Sequence, residues 1–324
     1  MKKYRCASFF AGVGGIDLGF SNKIYHTVYA NEFDEKAANT YELNFPDIKV
    51  DRRDIHEVSV EEIPDFDIML AGFPCQAFSI AGYRQGFNDK KGRGDLFFEL
   101  IRIIRDKRPR VIFLENVKNL VGHDNGNTFQ VIIKELEEQG YKDKIEYKVM
   151  NAMHYGNIPQ NRERIYIVAF LNEEDYQKFR MPKAIPLEKT IKDVIDLDAC
   201  VEEKYYYTEE KCSFFKQLEE GMKNQDTVYQ WRRIYVRENQ SKVCPTLTAN
   251  MGTGGHNVPL ILTSDGRIRK LTPHECFNIQ GFPSSFQLPN ETAMTHLYKQ
   301  AGNSVAVPVV KRIADKIAGV LILQ

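Results

Sequence analysis

The run FDIMLAGF (66–73) constrains the fold more than any other stretch of the chain. It is apolar nearly throughout, as strands buried on both faces are, and it leads straight into Pro74. Around it, the first half of the chain alternates strand and helix patterns. YRCASFF (4–10), HTVYANE (26–32), RVIFLENV (110–117) and RIYIVAF (164–170) read as strands. FDEKAANTYELNF, GDLFFELIRIIRDK (94–107) and NTFQVIIKELEEQGY carry apolar residues at helical spacing, and the second has Asp95 near its start and basic residues near its end. Strands separated by helices predict a parallel α/β sheet, which gathers ligands at the carboxyl ends of its strands.

Beyond about residue 171 this rhythm stops. The chain turns polar and tyrosine-rich (KYYYTEEK), then passes through prolines and a glycine loop, NMGTGGHN, before AGNSVAVPVVKRIADKIAGVLI runs into an amphipathic helix. The expected organisation is a first domain at 1–170, a smaller irregular domain at 171–290, and a segment at 291–324 that returns to the first.

Lys+Arg and Asp+Glu both total 44, so bulk charge does not announce a nucleic-acid partner, and local clusters would have to meet one. RIIRDKRPR (102–110) reads as the solvated end of a helix, whereas WRRIYVRENQSK (231–242) interleaves cations with Trp231 and Tyr235. The six cysteines, at 6, 75, 200, 212, 244 and 276, show no CxxC pair and no zinc spacing; free thiols of a reducing cytosol and no metal are expected. Neither a signal peptide nor a run of ~18 apolar residues is visible, so no membrane partner is expected.

Four stretches could carry chemistry. In FFAGVGGIDLGF (9–20) a strand opens into Gly12-Val13-Gly14-Gly15, where the backbone can pass close to a ligand. Asp17 stands where a dinucleotide fingerprint needs its third glycine, which argues against a pyrophosphate cradle. A nucleoside without phosphates fits better: Glu32, twenty residues after Gly12, could accept from both ribose hydroxyls, and Asp54 could meet an adenine amino group. S-adenosylmethionine has that shape. Cys75, behind Pro74, would alone be read as a small buried hydrophobe. Glu115 closes an apolar strand, where a carboxylate is either structurally paired or aimed into the ligand crevice. Arg162 and Arg164 alternate across a strand start, so strand periodicity places both on one face.

The set FFAGVGG, NEFD, GFPCQAFS, ENV, QNRERIY, CPTLTANMGTGG, RKLTPHECFNIQGFP and GNSV, in that order over almost the whole chain, closely resembles the bacterial C5-cytosine DNA methyltransferases. The resemblance implies a Rossmann-like class I methyltransferase sheet with a smaller target-recognition domain. It implies methyl transfer from S-adenosyl-L-methionine, leaving S-adenosyl-L-homocysteine, to C5 of a cytosine flipped out of double-stranded DNA. Cys75 would attack C6, Glu115, protonated or sharing a proton, would meet N3, Arg164 would hold O2, and Arg162 would stabilise the covalent intermediate. The cofactor would lie on Phe10, Gly12, Gly14 and Gly15, with Glu32 on the ribose and Phe33, Asp54 and Ile55 framing the adenine. Phe73, Leu96, Asn303 and Val305 would close the pocket.

The same resemblance assigns the DNA. Gln76, Ser79, Ala81, Tyr83 and Arg84 would belong to a loop closing on the duplex; Ala81 stands where a well-studied relative inserts a serine, so Tyr83, Arg84 or Gln230 would fill the vacated stack. Gln230, Arg232, Arg233 and Arg237 would make groove or phosphate contacts, followed by Thr246 and by Gly252, Gly254 and Gly255. A monomer acting on a short site of about four to six base pairs is expected, in the bacterial cytoplasm on the nucleoid. A restriction-modification setting would add a cognate endonuclease, whose existence the sequence of this chain does not tell. A tRNA cytosine methyltransferase and a catalytically dead DNA-binding homologue are the rival readings.

Overall fold

The computed structural model describes residues 3–74 and 96–322. The chain divides into two compact units. One comprises Met1–Met150, Glu163–Pro182 and Val310–Gln324; the other comprises Asn151–Arg162 and Lys183–Val309. Thus the second unit also takes 151–162, which the sequence pattern grouped with the first domain, and the return to the first unit comes at residue 310 rather than 291.

The first unit is built on a six-stranded sheet. Its strands are β1 (Tyr4–Phe9), β2 (Tyr25–Asn31), β3 (Ile68–Gly72), β4 (Val111–Val117), β5 (Ile145–Asn151) and β7 (Glu163–Phe170), in the order β2-β1-β3-β4-β7-β5. β1 pairs in parallel with both β2 and β3, and β3 pairs in parallel with β4. The expectation of a parallel sheet needs one correction: β7 runs antiparallel to β4, from Val111↔Phe170 to Val117↔Arg164. Periodicity reports which residues are apolar, not the direction in which a strand is laid down.

Ile68, Met69, Leu70 and Ala71 of β3 are fully buried, which explains the absence of polar alternation in the run. The Ile68, Met69 and Leu70 side chains are each worth roughly 1.5–3 kcal/mol on burial. The helix Leu96–Lys107 supplies part of the cover, burying Phe97, Leu100, Ile101, Ile103 and Ile104. The helix Val307–Ile322 accepts hydrogen bonds at its Ala314 and Leu321 carbonyls from Tyr25 OH at 2.7 Å and Tyr4 OH at 2.8 Å. With β2 on one side of β1 and β3 on the other, the strand order reverses beside β1, the place where open α/β sheets bind ligands.

The second unit holds an antiparallel sheet in the order β12-β11-β8-β9, from β8 (Tyr229–Trp231), β9 (Val236–Glu238), β11 (Leu260–Leu262) and β12 (Ile268–Lys270). A short parallel pair joins β6 (Gln160–Asn161) to β10 (Cys244–Pro245). Cys212, Leu218, Met222, Tyr229, Val258, Leu260 and Ile268 form a core there. Beside the sheet, Arg269 donates to both oxygens of Glu275 at 2.7 Å, and both residues are buried. Opening such a buried pair typically costs about 3–5 kcal/mol. No helix among the described residues is long and apolar enough to cross a membrane.

Asp17, which breaks the dinucleotide fingerprint, turns inward. Its carboxylate accepts from Ser8 Oγ at 2.8 Å, Tyr41 OH at 3.0 Å and Thr27 Oγ1 at 3.2 Å, tying together β1, β2 and the helix Glu35–Asn44. Burial raises its pKa against the opposing pull of these hydroxyls. A carboxyl group whose folded pKa is raised favours the folded state at low pH, and that contribution is lost as pH rises through the folded value. Asp17→Asn should therefore remove a part of the stability that falls as pH rises above the ordinary aspartate range, read from urea titrations at a series of pH values. A variant profile parallel to that of the parent would show that Asp17 carries none of this dependence.

Candidate active site

The carboxyl ends of β1 and β2 build the first part of the site. After Phe9 the backbone enters positive φ at Phe10 (52°), Gly12 (57°) and Gly14 (85°). A Cβ on Gly14 would lie 2.3 Å from the ring of Phe45, so only glycine fits there, whereas above Gly12 the space is open. The Gly12 N–H donates to Glu32 Oε2 at 2.8 Å and the Asp34 N–H to Oε1 at 2.7 Å, which fixes the Glu32 carboxylate against the turn. Beside it Phe33 is 69% exposed, an unusual condition for a phenyl ring.

Asp54 caps the turn Ile55–Glu57, its Oδ1 accepting from the His56 N–H at 3.1 Å and lying 2.5 Å from His56 Nδ1. Burial works against its charge, yet the backbone and ring of His56 hold the carboxyl below the usual range. Ile55 is buried, and Phe10 and Leu96 are half-buried. Phe73 is committed to the core, its ring 5.5 Å from that of Phe97. An open glycine turn, a carboxylate fixed beside it and a bare aromatic ring suit a nucleoside with a ribose diol, and so the adenosyl group of S-adenosylmethionine. Asn303, exposed, and Val305, buried, lie in the second unit.

The ends of β3, β4 and β7 build the second part. Glu115, 8% exposed, pairs in register with Gly72 on one side and Tyr166 on the other. Arg164 Nε lies 3.1 Å from Glu115 Oε1, and its Nη1 donates to the Glu163 carbonyl at 2.9 Å. Asn116, which the sequence reading passed over, is buried and donates from Nδ2 to the carbonyl of Phe73 at 2.9 Å. That bond holds the backbone immediately ahead of Pro74. A buried amide at the end of an apolar strand, next to a carboxylate, was the available signal.

Arg162 departs from expectation. It precedes β7 and does not share a strand face with Arg164; it belongs to the second unit, 2% exposed. Its Nη1 donates to the Leu247 carbonyl at 2.9 Å, and its Nη2 donates to the carbonyls of Gly302, at 3.0 Å, and Ser304. The chain crosses from one unit to the other between these two arginines, which strand periodicity cannot reveal.

Also in the second unit, β8 and β9 form a hairpin with Gln230 opposite Arg237 and Trp231 opposite Val236. Trp231 stacks on Phe214, ring centroids 4.6 Å apart and planes within 2°. The tip displays Arg233, Ile234 (85% exposed) and Tyr235 (54%). Gln230, by contrast, is 6% exposed on the strand between β11 and β9, which counts against it as the side chain that enters a DNA stack. Thr246 Oγ1 donates to the Asn161 carbonyl at 2.6 Å and lines a cleft of about 430 Å³ with Arg237, Asn239, Gln240 and Ser241. Gly252 packs on the ring of Tyr298, whereas Gly254 and Gly255, at positive φ, face open space. Arg232 is half-buried and Arg237 exposed. Cys75, Gln76, Ser79, Ala81, Tyr83 and Arg84 lie outside the described residues. Among the described residues, no cluster of His, Cys, Asp or Glu could hold a metal ion.

Comparison with known proteins places this geometry. The family model for C-5 cytosine-specific DNA methylase matches residues 4–319. The Type II methyltransferase M.Bsp6I of Bacillus sp. (strain RFL6) is 63% identical over 312 residues, covering 96% of this chain and 97% of the relative. M.HhaI of Haemophilus parahaemolyticus, also a Type II methyltransferase, is 39% identical, with 98% and 95% covered. Among solved structures, the Entamoeba histolytica methyltransferase EhMeth superposes with a TM-score of 0.75 at 19% identity, covering 99% of each chain. The Schizosaccharomyces pombe Dnmt2 methyltransferase gives 0.72 at 18%, covering 99% of this chain and 98% of that one. These two likenesses establish a shared fold. The chain belongs to the C-5 cytosine-specific DNA methylase family and is a DNA (cytosine-5) methyltransferase of the restriction-modification type.

Proposed function

We propose that the chain methylates a cytosine turned out of duplex DNA, with Cys75 as the nucleophile. The observation that carries this reading is the hold of buried Asn116 on the Phe73 carbonyl, next to the Glu115–Arg164 pair. It anchors the backbone at Phe73, which stands at the strand ends that bear the two charged groups.

Cytosine C5 is too weak a nucleophile to take a methyl group directly. In the proposed cycle the Cys75 thiolate forms a bond to C6, and the C5–C6 π electrons become available at C5. Glu115 holds N3 and shares a proton with it as charge develops, while Arg164 turns its remaining N–H groups to O2. S-adenosylmethionine, when bound on Gly12–Gly15, Glu32, Phe33 and Asp54, supplies the electrophilic methyl. Loss of the C5 proton then restores the double bond and expels Cys75. Arg162, with its guanidinium spread over three main-chain carbonyls, is assigned a structural role instead of a catalytic one.

Chemistry at C5 and C6 needs the base outside the stack. The segment from Gln76 through Arg84 would close on the DNA, and Arg233 and Arg237 would read bases or phosphates with Arg232, Thr246 and the Gly254-Gly255 turn alongside. Because its relatives are Type II methyltransferases, a cognate endonuclease cutting the same site belongs to the proposal, as does a single copy of this chain acting there.

Cys75→Ser should abolish transfer of labelled methyl to duplex DNA while leaving DNA binding in place, and 5-fluorocytosine at the target should trap the parent protein covalently. Near-normal turnover by the serine variant, or methylation of tRNA in preference to duplex DNA, would overturn the reading. Glu115→Gln should lower kcat about 10²- to 10⁴-fold with little change in KM, measured at saturating cofactor. Arg233→Ala should relax discrimination at one base pair by roughly 10-fold or more, and equal weakening on cognate and scrambled duplexes would restrict it to phosphate contact.

A further inference from the structure

Arg233 sits at the tip of the β8–β9 hairpin with φ of 72°, between the paired residues Trp231 and Val236. An exposed arginine in such a place samples many rotamers, and ordering it on the DNA would cost affinity. Here it is already held. Its Nε lies 2.6 Å from Nε2 of His256, which follows the Gly254-Gly255 turn. The guanidinium Nε always carries hydrogen, so His256 Nε2 is the acceptor of this bond. The His256 Nδ1 is buried and, among the described residues, has no hydrogen-bond partner. The His256 carbonyl separately accepts from Arg232 Nη1 at 3.3 Å.

One residue thus grips two arginines by different groups: Arg232 through its backbone, Arg233 through its ring. The ring takes Nε–H, no hydrogen bond among the described residues occupies the two Nη groups of Arg233, and a pair of guanidinium N–H donors is what a bidentate contact to guanine O6 and N7 requires. We propose that His256 is a positioning residue for sequence reading, which presets the guanidinium of Arg233 so that its Nη pair meets a guanine edge. The proposal rests on the assignment of Arg233 to base reading. It also links two segments far apart in sequence, the hairpin and the MGTGGHN loop, into one reading element.

The test uses the full-length protein after bisulfite sequencing has defined its methylated site. Methylation is measured on the cognate duplex and on duplexes altered at one base pair each. His256→Leu keeps bulk but removes the acceptor; it should reduce discrimination about five- to tenfold at a single base pair, through KM for DNA with kcat preserved. His256→Gln, whose Oε1 can accept the same Nε–H, should keep discrimination within about twofold of the parent. In an Arg233→Ala background, His256→Leu should add nothing at that base pair. Unchanged discrimination in His256→Leu, equal loss in His256→Gln, or loss spread over every position would overturn the proposal. Arg233→Ala that leaves discrimination intact would instead remove the base-reading assignment beneath it, so the two failures are distinguishable.

Discussion

The antiparallel pairing of β7 with β4 is the constraint on which the chemistry depends. It returns the chain against a strand laid down some fifty residues earlier and sets Val117 opposite Arg164, which brings the guanidinium to 3.1 Å from Glu115. Parallel addition of the same strand would have carried Arg164 to the other end of the sheet, away from the carboxyl ends where β1, β2 and β3 present Phe10, Glu32 and Phe73. One reversed strand therefore brings Arg164 to the carboxyl-end edge of the sheet, beside Glu115.

Burying charge is expensive unless each group is answered, and this protein answers each in a different way. Glu115 faces Arg164; Asp17 is surrounded by hydroxyls; Arg269 and Glu275 form a two-pronged pair; Arg162 is spread over backbone carbonyls. The last two hold the second unit together, and Arg162 does so from a motif whose neighbour, Arg164, serves the first. Adjacent arginines in one short motif thus work for separate units.

Much of this was legible beforehand. The uninterrupted apolar run of β3 announced a strand buried on both faces, and the positive-φ glycines after β1 announced a close backbone turn, because both follow from local chemistry. The placing of Glu32 and Glu115 at strand ends was readable for the same reason. What could not be read was orientation. Nothing in the pattern of RIYIVAF distinguishes antiparallel from parallel addition, nothing in the alternation of Arg162 and Arg164 shows that the strand begins between them, and a glutamine beside a tryptophan does not disclose that Gln230 is buried.

By itself the sequence determined which residues could react, bind or pack: a thiol behind a proline, carboxylates closing apolar strands, glycines where Cβ has no room, arginines interleaved with aromatics. Such properties reside in single side chains and their nearest neighbours. Tertiary structure alone decided which of them meet: Asn116 with the Phe73 carbonyl, Arg164 with Glu115, and His256 with Arg233 across twenty-three residues. The reason is that a hydrogen bond between distant residues depends on strand order, direction and register, and those are settled by burial of the whole sheet and not by any local stretch of it.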